Sequence, residues 1–334
     1  MRALLTLAGL TGIAWFGIGE AQPWPAHPVR VIVPFPAGGP ADVLGRIAAG
    51  KFTEATGQQF VIDNRGGANG NIGAAIVAKA APDGYTLMFA TTGPLALNHM
   101  LYKNTPYDPV KDFAPIVLFG DVPMILVAHP ALPAKSLADL IAYAKANPGK
   151  LTYASPGRAS LGHLVAELVQ RNTGVQLTHV PYKGSAPAVI DLLGGSVNLA
   201  FDLAATYYQH ARAGKVRALA VSTSSRFTQL PDVPTVAESI PGFQATGWFG
   251  AVGPTGMPAA AITRLNRVSN DYLTSSEGAA RLRDLAVRPV GGTPQELGAF
   301  VRAEIAKWRP VVEPLATSLD CPPLGARASR PHAV

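Results

Sequence analysis

Two stretches of this sequence carry the residue types that hold or attack small molecules. In the first, Phe35-Pro36-Ala37-Gly38-Gly39 is followed by Asp42, and the proline and glycine make a turn that no strand can continue and that opens a helix. The glycines bare the backbone, so N–H groups and the positive end of a helix macrodipole face outward, which suits an anion. The second, Ser155-Pro156-Gly157-Arg158-Ala159-Ser160-Leu161-Gly162-His163, repeats the device and adds hydroxyls, a guanidinium and an imidazole. Arg158 is the sharpest candidate there: a cation at a helix start opposes the dipole, so its presence suggests an anion nearby.

A hydroxyl near an imidazole also raises the possibility of a serine hydrolase using Ser160. The spacing is G-x-x-S-x-G, however, not the G-x-S-x-G of a nucleophile elbow. His163 also follows Ser160 on the same helix, where an elbow's base arrives from a distant loop. Gly67, Gly70 and Gly73 are spaced by three without the G-x-G start of a dinucleotide fingerprint, and no phosphate loop is present. The seven histidines are dispersed, with no metal-ligand spacing. Neither cofactor nor metal is expected, and catalysis is the weaker reading.

Plainer readings stand beside these. Asp42 also suits a first-turn carboxylate favoured by the macrodipole, Ser155 and Ser160 also suit N-caps, and His163 also suits a satisfied, partly buried histidine. Asn64 and Arg65 read better as loop fixers than as ligand contacts, and Lys183 as a solvated loop residue.

The elements that must position these residues follow from periodicity. Val29–Val33 is a β-branched apolar run of the kind buried on both faces, and Val43, Leu44, Ile47, Ala48 and Phe52 share one face of a helix over 41–56. Strand and helix repeat at 59–63 and 72–80. A third strand at 86–90 runs into Thr91-Thr92-Gly93-Pro94, where hydroxyls and bare backbone again meet a helix start at Leu95. Three β-α repeats predict a doubly wound sheet, with ligands beyond the carboxyl ends of its strands.

Two extended segments, 116–119 and 123–128, lead out of this unit. Helix 137–146, capped by Ser136, begins new alternation, with strands near 151, 177–180, 197–201 and 216–221. The proline-rich stretch 227–243 suits a return connection. A short strand at 248–252 then rejoins the first sheet, followed by helices over 259–273, 278–285 and 294–308. The expected organisation is a first lobe in two parts, 22–125 and 246–309, with a second lobe, 126–245, inserted between them. Two crossings, near Leu126 and Thr246, form a hinge that permits closure. Pro310 and Pro314 are expected to break the last helix and leave 310–334 as a poorly ordered tail.

At 334 residues, 48% hydrophobic and 15% charged, the chain is not built for disorder. The net charge of +7 is scattered, without a basic block or stripe, which argues against nucleic acid and leaves a mild pull on small anions. Cys321 is the only cysteine, so no internal disulfide forms. Arg2, the apolar run 3–18 and Gly19-Glu20-Ala21 read as a secretory signal over 1–21, and at roughly 16 residues the run is short of the ~20 that span a bilayer. No cysteine sits there to take a lipid, and a periplasmic location is expected.

With these residues laid out, the chain resembles the Bug family of extracytoplasmic solute receptors, the binding component of tripartite tricarboxylate transporters. The likeness runs from about Val29 to Trp308. It rests on Val33-Pro34-Phe35-Pro36-Ala37-Gly38-Gly39 with Asp42, Asn64-Arg65-Gly66, Asn69-Gly70-Asn71-Ile72-Gly73, Ala81-Pro82-Asp83-Gly84-Tyr85-Thr86-Leu87, Tyr107-Asp108-Pro109, His179-Val180-Pro181-Tyr182-Lys183-Gly184 and Leu230-Pro231-Asp232-Val233-Pro234-Thr235. It implies an α/β type II periplasmic-binding-protein fold, two α/β lobes joined by a two-strand hinge, closing on a small carboxylate or carboxylated amino acid. It also implies a monomer that delivers its ligand to membrane permease subunits. A periplasmic sensor input domain with the same fold is the alternative.

In such proteins backbone groups and trapped waters hold the carboxylate, without a dedicated arginine, in the loop that Phe35 to Gly39 matches. The resemblance places residues 155–163 across the cleft and makes Asp202 the candidate partner of a ligand amino or hydroxyl group. Three departures stand out. Leu203-Ala204-Ala205-Thr206 replaces an Asn-x-Pro-Ser-like turn, Arg158 fills a position that is often small or neutral, and the sequence after Trp308 does not follow the family ending.

Overall fold

The computed structural model describes residues 24–316. The leader expected over 1–21, Cys321 and the last part of the expected tail lie outside the described residues. The first lobe is built on β1 (Val29–Val33), β2 (Phe60–Asn64) and β3 (Thr86–Thr91), with β1 in the middle and parallel to both neighbours. Val29, Ile32 and Val33 are fully buried, as their β-branched run predicts for a central parallel strand.

β4 (Phe113–Ala128) is the spine of the molecule. From Phe113 to Pro123 it pairs antiparallel with β9 (Thr246–Pro254), which in turn pairs with β3. From Met124 to Ala128 it changes partners, taking β7 (Leu199–Leu203) on one side and β8 (Arg217–Val221) on the other. β5 (Thr152–Ser155) and β6 (Thr178–Pro181) complete the second lobe's sheet in parallel with β7.

The two extended segments read from the sequence are thus one strand. Its prolines explain both the appearance of a break and its absence: Pro115 falls at a register shift, and Pro123 is the last residue paired with β9 before the partners change. β10 (Arg288–Gly291), which lines the other edge of β4, has no apolar run to betray it. It can approach because Gly120 faces it; a Cβ at Gly120 would stand 2.8 Å from the Arg288 carbonyl oxygen.

Helices pack on both faces. The helix expected from Leu95 is a π-helical turn over Gly93–Leu97 that runs into α3 (Asn98–Leu101). The last helix corrects the expectation of a break at Pro310: α10 spans Pro294–Ala316 with Pro310 and Pro314 inside it. Ala306, Pro310 and Pro314 all sit on its exposed side, so the carbonyls that the prolines leave unbonded face water. Trp308, Val312 and Leu315 on the opposite side are buried among second-lobe residues such as Val236, Ile240 and Phe243. Burying three side chains of this size is worth about 4.5–9 kcal/mol, of the same order as the roughly 6 kcal/mol that two helical prolines cost, so the packing offsets them.

Candidate functional site

Where the lobes face each other a cleft encloses about 670 Å³, part of it open to solvent. Its walls come from the ends of β1, β3, β5, β6 and β7 and the turns that follow. From the first lobe come Phe35, Pro36, Gly39, Thr91, Thr92 and Gly93; from the second, Pro156, Ser160, Gly162, Gly184, Ser185 and Asp202. These turns open helices: α1 (Pro40–Thr56) and the π-helical turn on one side, α5 (Leu161–Thr173) and α6 (Ser185–Leu193) on the other. Helix starts therefore converge on one space from both lobes, and partial positive charge converges with them. No lysine or arginine lines the cleft among the described residues.

The first-lobe loop is held from behind. The Gly38 N–H donates to Asp42 Oδ2 at 3.0 Å, and Asn64 Nδ2 donates to the Phe35 carbonyl and to Asp42 Oδ1, both at 3.0 Å. Arg46 closes the set, with a guanidinium nitrogen 3.0 Å from Asp42 Oδ1. Burial pushes the Asp42 carboxyl up, but Arg46, the Gly38 N–H and Asn64 together outweigh it and hold the group below its ordinary value. Asp42 is therefore buried behind the loop and outside the cleft lining, and the N–H that Gly38 was expected to offer is spent on it. Ala37 and Gly38 also lie outside the lining, whereas Phe35, Pro36 and Gly39 line it.

Thr92 is buried and accepts from the Trp248 N–H at 3.1 Å, tying the first-lobe turn to β9. Across the cleft Ser160 caps α5, its Oγ accepting from the His163 N–H at 3.2 Å, and it still lines the space. Ser155, Gly157, Arg158 and His163 do not line it; the Arg158 side chain is exposed.

Ser155 and His163 belong instead to a stack of rings behind the wall. His163 and His179 lie face to face with centroids 3.9 Å apart, and Tyr153 stacks on the far side of His179 at 4.7 Å. The Ser155 hydroxyl lies 3.0 Å from the Gly157 carbonyl and is hydrogen-bonded to His179 Nε2 at 2.7 Å. His163 Nδ1 accepts from the Ala159 N–H at 3.0 Å. Ser155 and both imidazoles lie outside the cleft lining, and among the described residues no imidazole lines the cleft beside Ser160, so this group is not arranged as a serine nucleophile and base facing a substrate. Burial, helped by the nearby charge of Arg158, lowers His163 to about 4. Burial, then His163 and Arg158, lower His179 to about 3, so both rings are neutral at pH 7.

Asp202 lines the cleft from the end of β7 and is buried. The sequence reading missed Asn69, which also lines it. Asn69 holds φ at 53°, and its Nδ2 donates at 2.9 Å both to Asn98 Oδ1 and, across the cleft, to the Ala159 carbonyl. The signal was an Asn-Gly pair, since asparagine tolerates the left-handed region better than most residues. Pro36 makes a second contact between the lobes: a Cβ at Gly184 would stand 3.1 Å from its ring.

Among the described residues no helix is long and apolar enough to cross a membrane, and no group of three or more metal-ligating side chains comes together. The model of the tripartite tricarboxylate transporter family receptor matches residues 44–317. Protein BugT of Bordetella pertussis is 40% identical over 324 residues, 96% of this chain and 99% of BugT. Among solved structures, the R. palustris protein Rpa4515 with adipate superposes with a TM-score of 0.84 at 42% identity, over 87% of this chain and 97% of that one. MatC from Rhodopseudomonas palustris with bound malate superposes with a TM-score of 0.82 at 35% identity, over 87% of this chain and 100% of MatC. The α/β fold hinged on β4 and β9 is that of these structures and of the periplasmic binding protein BugD, which superposes with a TM-score of 0.83 at 35% identity over 88% of this chain and 99% of BugD. The chain belongs to the tripartite tricarboxylate transporter receptor family, whose members are solute-binding receptors and not enzymes.

Proposed function

We propose that this chain is an exported receptor that closes on a small carboxylate and delivers it, as a monomer, to the membrane subunits of a tripartite transporter. The convergence of helix starts from both lobes on a cleft without a lysine or arginine carries the reading. Such a space offers backbone N–H groups and aligned dipoles to an anion and gives no single side chain the task. The N–H groups of Gly39 and Ala41 at the start of α1 and of Ala186 in α6 are the proposed donors, with the Thr92 and Ser160 hydroxyls beside them. The adipate and malate in the two Rhodopseudomonas structures support a carboxylate, and the apolar run 3–18 supports export by the leader over 1–21.

Asn69 and Pro36 bridge the cleft, so the arrangement suits the closed, ligand-retaining form. Native mass spectrometry of the freshly purified mature chain, followed by calorimetry across mono-, di- and tricarboxylates and amino acids, tests the assignment. A retained carboxylate, with micromolar or tighter binding of that compound, is expected. Absence of binding to every carboxylate in the panel would overturn it.

A further inference from the structure

Among the described residues four besides glycine hold φ in the left-handed region, and three of them lie on the two loops that the Asn69–Ala159 bond joins. Ala68 at 46° and Asn69 at 53° belong to the first lobe, Ala159 at 59° to the second. Alanine enters this region reluctantly, and such conformations persist only where their surroundings fix them.

In the first lobe the fixing partner is Asn98, buried at the start of α3. Its Oδ1 accepts from Asn69 Nδ2 and its Nδ2 donates to the Asn69 carbonyl, both at 2.9 Å, so it grips side chain and backbone together. Asn98 Nδ2 also donates to Asn71 Oδ1 at 2.8 Å, and the Tyr107 hydroxyl lies 2.6 Å from the same oxygen, which roots the group in the first-lobe core. With one Nδ2 hydrogen held by Asn98, Asn69 aims the other at the Ala159 carbonyl, 2.9 Å away. Gly93 makes room for that amide; a Cβ there would stand 3.1 Å from Asn69 Nδ2.

In the second lobe the fixing partner is His163, whose buried ring stacks on His179 and whose Nδ1 accepts from the Ala159 N–H at 3.0 Å. The next peptide is fixed by the Ser160 N–H, which donates to the Gly157 carbonyl at 3.2 Å. A trans peptide sets its carbonyl opposite its N–H, so the Ala159 carbonyl is turned outward, toward Asn69. Neither Asn98 nor His163 lines the cleft.

Resting on the reading of the cleft as a site that closes on a ligand, we propose that Asn98 and His163 are positioning residues for closure. Each holds one strained loop in the conformation that lets Asn69 bond Ala159, and together they slow the escape of a ligand that neither touches. Loops free to relax would turn the amide and the carbonyl elsewhere, and closing would then have to order both, which weakens the closed form relative to the open one.

Stopped-flow dissociation tests this with adipate, malate, citrate and glutamate, the tightest binder of the four being the probe. Asn98→Ala and His163→Ala should each raise the dissociation rate about threefold, roughly the worth of one net hydrogen bond, with association within about twofold. In an Asn69→Ala background neither should raise it more than about 1.5-fold, because the bond they serve is gone. His163→Asn should recover most of what His163→Ala loses, since the asparagine Oδ1 can accept where Nδ1 did while the stack on His179 is lost in both. Full additivity with Asn69→Ala overturns the proposal, because a general loss of packing acts whether or not the loops are joined. A His163→Asn variant as fast as His163→Ala overturns it as well. No binding by any of the four counts against the carboxylate reading alone, and amide hydrogen exchange of the purified chain then decides the role of the loops. Asn69→Ala and Asn98→Ala, both in the first lobe, should quicken exchange to the same extent in segment 157–163 of the second. Unchanged exchange there in Asn69→Ala overturns the proposal even where Asn98→Ala fails to fold.

Discussion

The buried His163 and Asp202 and the half-buried His179 are held away from their ordinary protonation behaviour, in opposing senses. His163 and His179 are lowered, to about 4 and 3, so the unfolded chain takes up protons near pH 6.5 that the folded rings refuse. Their contribution is fully present above pH 6.5 and is lost as pH falls toward 4, roughly 3 kcal/mol for His163 alone. Asp202 runs the other way: raised to about 6, it binds a proton in the folded state first, so acidification through pH 6 stabilises. Asp202→Asn removes the offsetting group. Its loss of stability between pH 7 and pH 5, measured by urea unfolding, should exceed that of the native chain by about 1 kcal/mol, the share of the Asp202 shift that falls in this window. Equal losses would mean that Asp202 is not the buried acid described. At this scale the sequence was legible for residues with one job to do, such as Asn64 fixing the Phe35 loop and Ser160 capping α5. For Ser155, Asp42 and His163 it left a binding role and a plainer role open, because periodicity does not say which side of a turn a side chain takes; all three lie outside the cleft lining, and Asp42 is a first-turn carboxylate and His163 a buried, hydrogen-bonded histidine.

Elements were legible where apolar runs were long and were missed where tertiary packing overrode local chemistry. β1 and α1 follow from their residue patterns, whereas β10 and the continuation of α10 past Pro310 depend on neighbours distant in sequence. The start of α5 shows how tight such packing is. Gly162, in its first turn, lies so close to β7 that a Cβ there would meet the Phe201 carbonyl oxygen, carbon to carbon at 3.1 Å. A backbone oxygen cannot swing aside, so Gly162→Ala must lift the helix start or bend the strand that carries Asp202. Overpacking of this kind costs about 1–3 kcal/mol. Chemical unfolding should register that loss, and calorimetry should register weaker carboxylate binding, because the α5 start is one wall of the cleft. Unchanged stability would show that the helix is not seated on β7.

The whole molecule is bound across the cleft at more places than a two-strand hinge. β4 and β9 carry the chain between lobes, and α10 leaves the first lobe to bury Trp308, Val312 and Leu315 against the second. The buried Glu304 anchors that helix by accepting from both Trp248 and Trp308, at 3.2 and 3.1 Å. Two crossings were legible because strands announce themselves; the third was hidden by prolines that read as a stop. The lobes are therefore restrained on the hinge side, and what remains adjustable is the mouth, where Asn69 donates to the Ala159 carbonyl. That bond exists only while the lobes are together, so it stabilises the closed form relative to the open one and adds nothing once they part. Asn69→Ala should weaken ligand binding by about fivefold, the equivalent of one net hydrogen bond at roughly 1 kcal/mol. Because the bond acts after encounter, the change should fall on the dissociation rate, with the association rate within about twofold of the native chain. Stopped-flow kinetics separates the two, and an effect confined to association would place Asn69 in capture of the ligand instead of in holding the lobes shut.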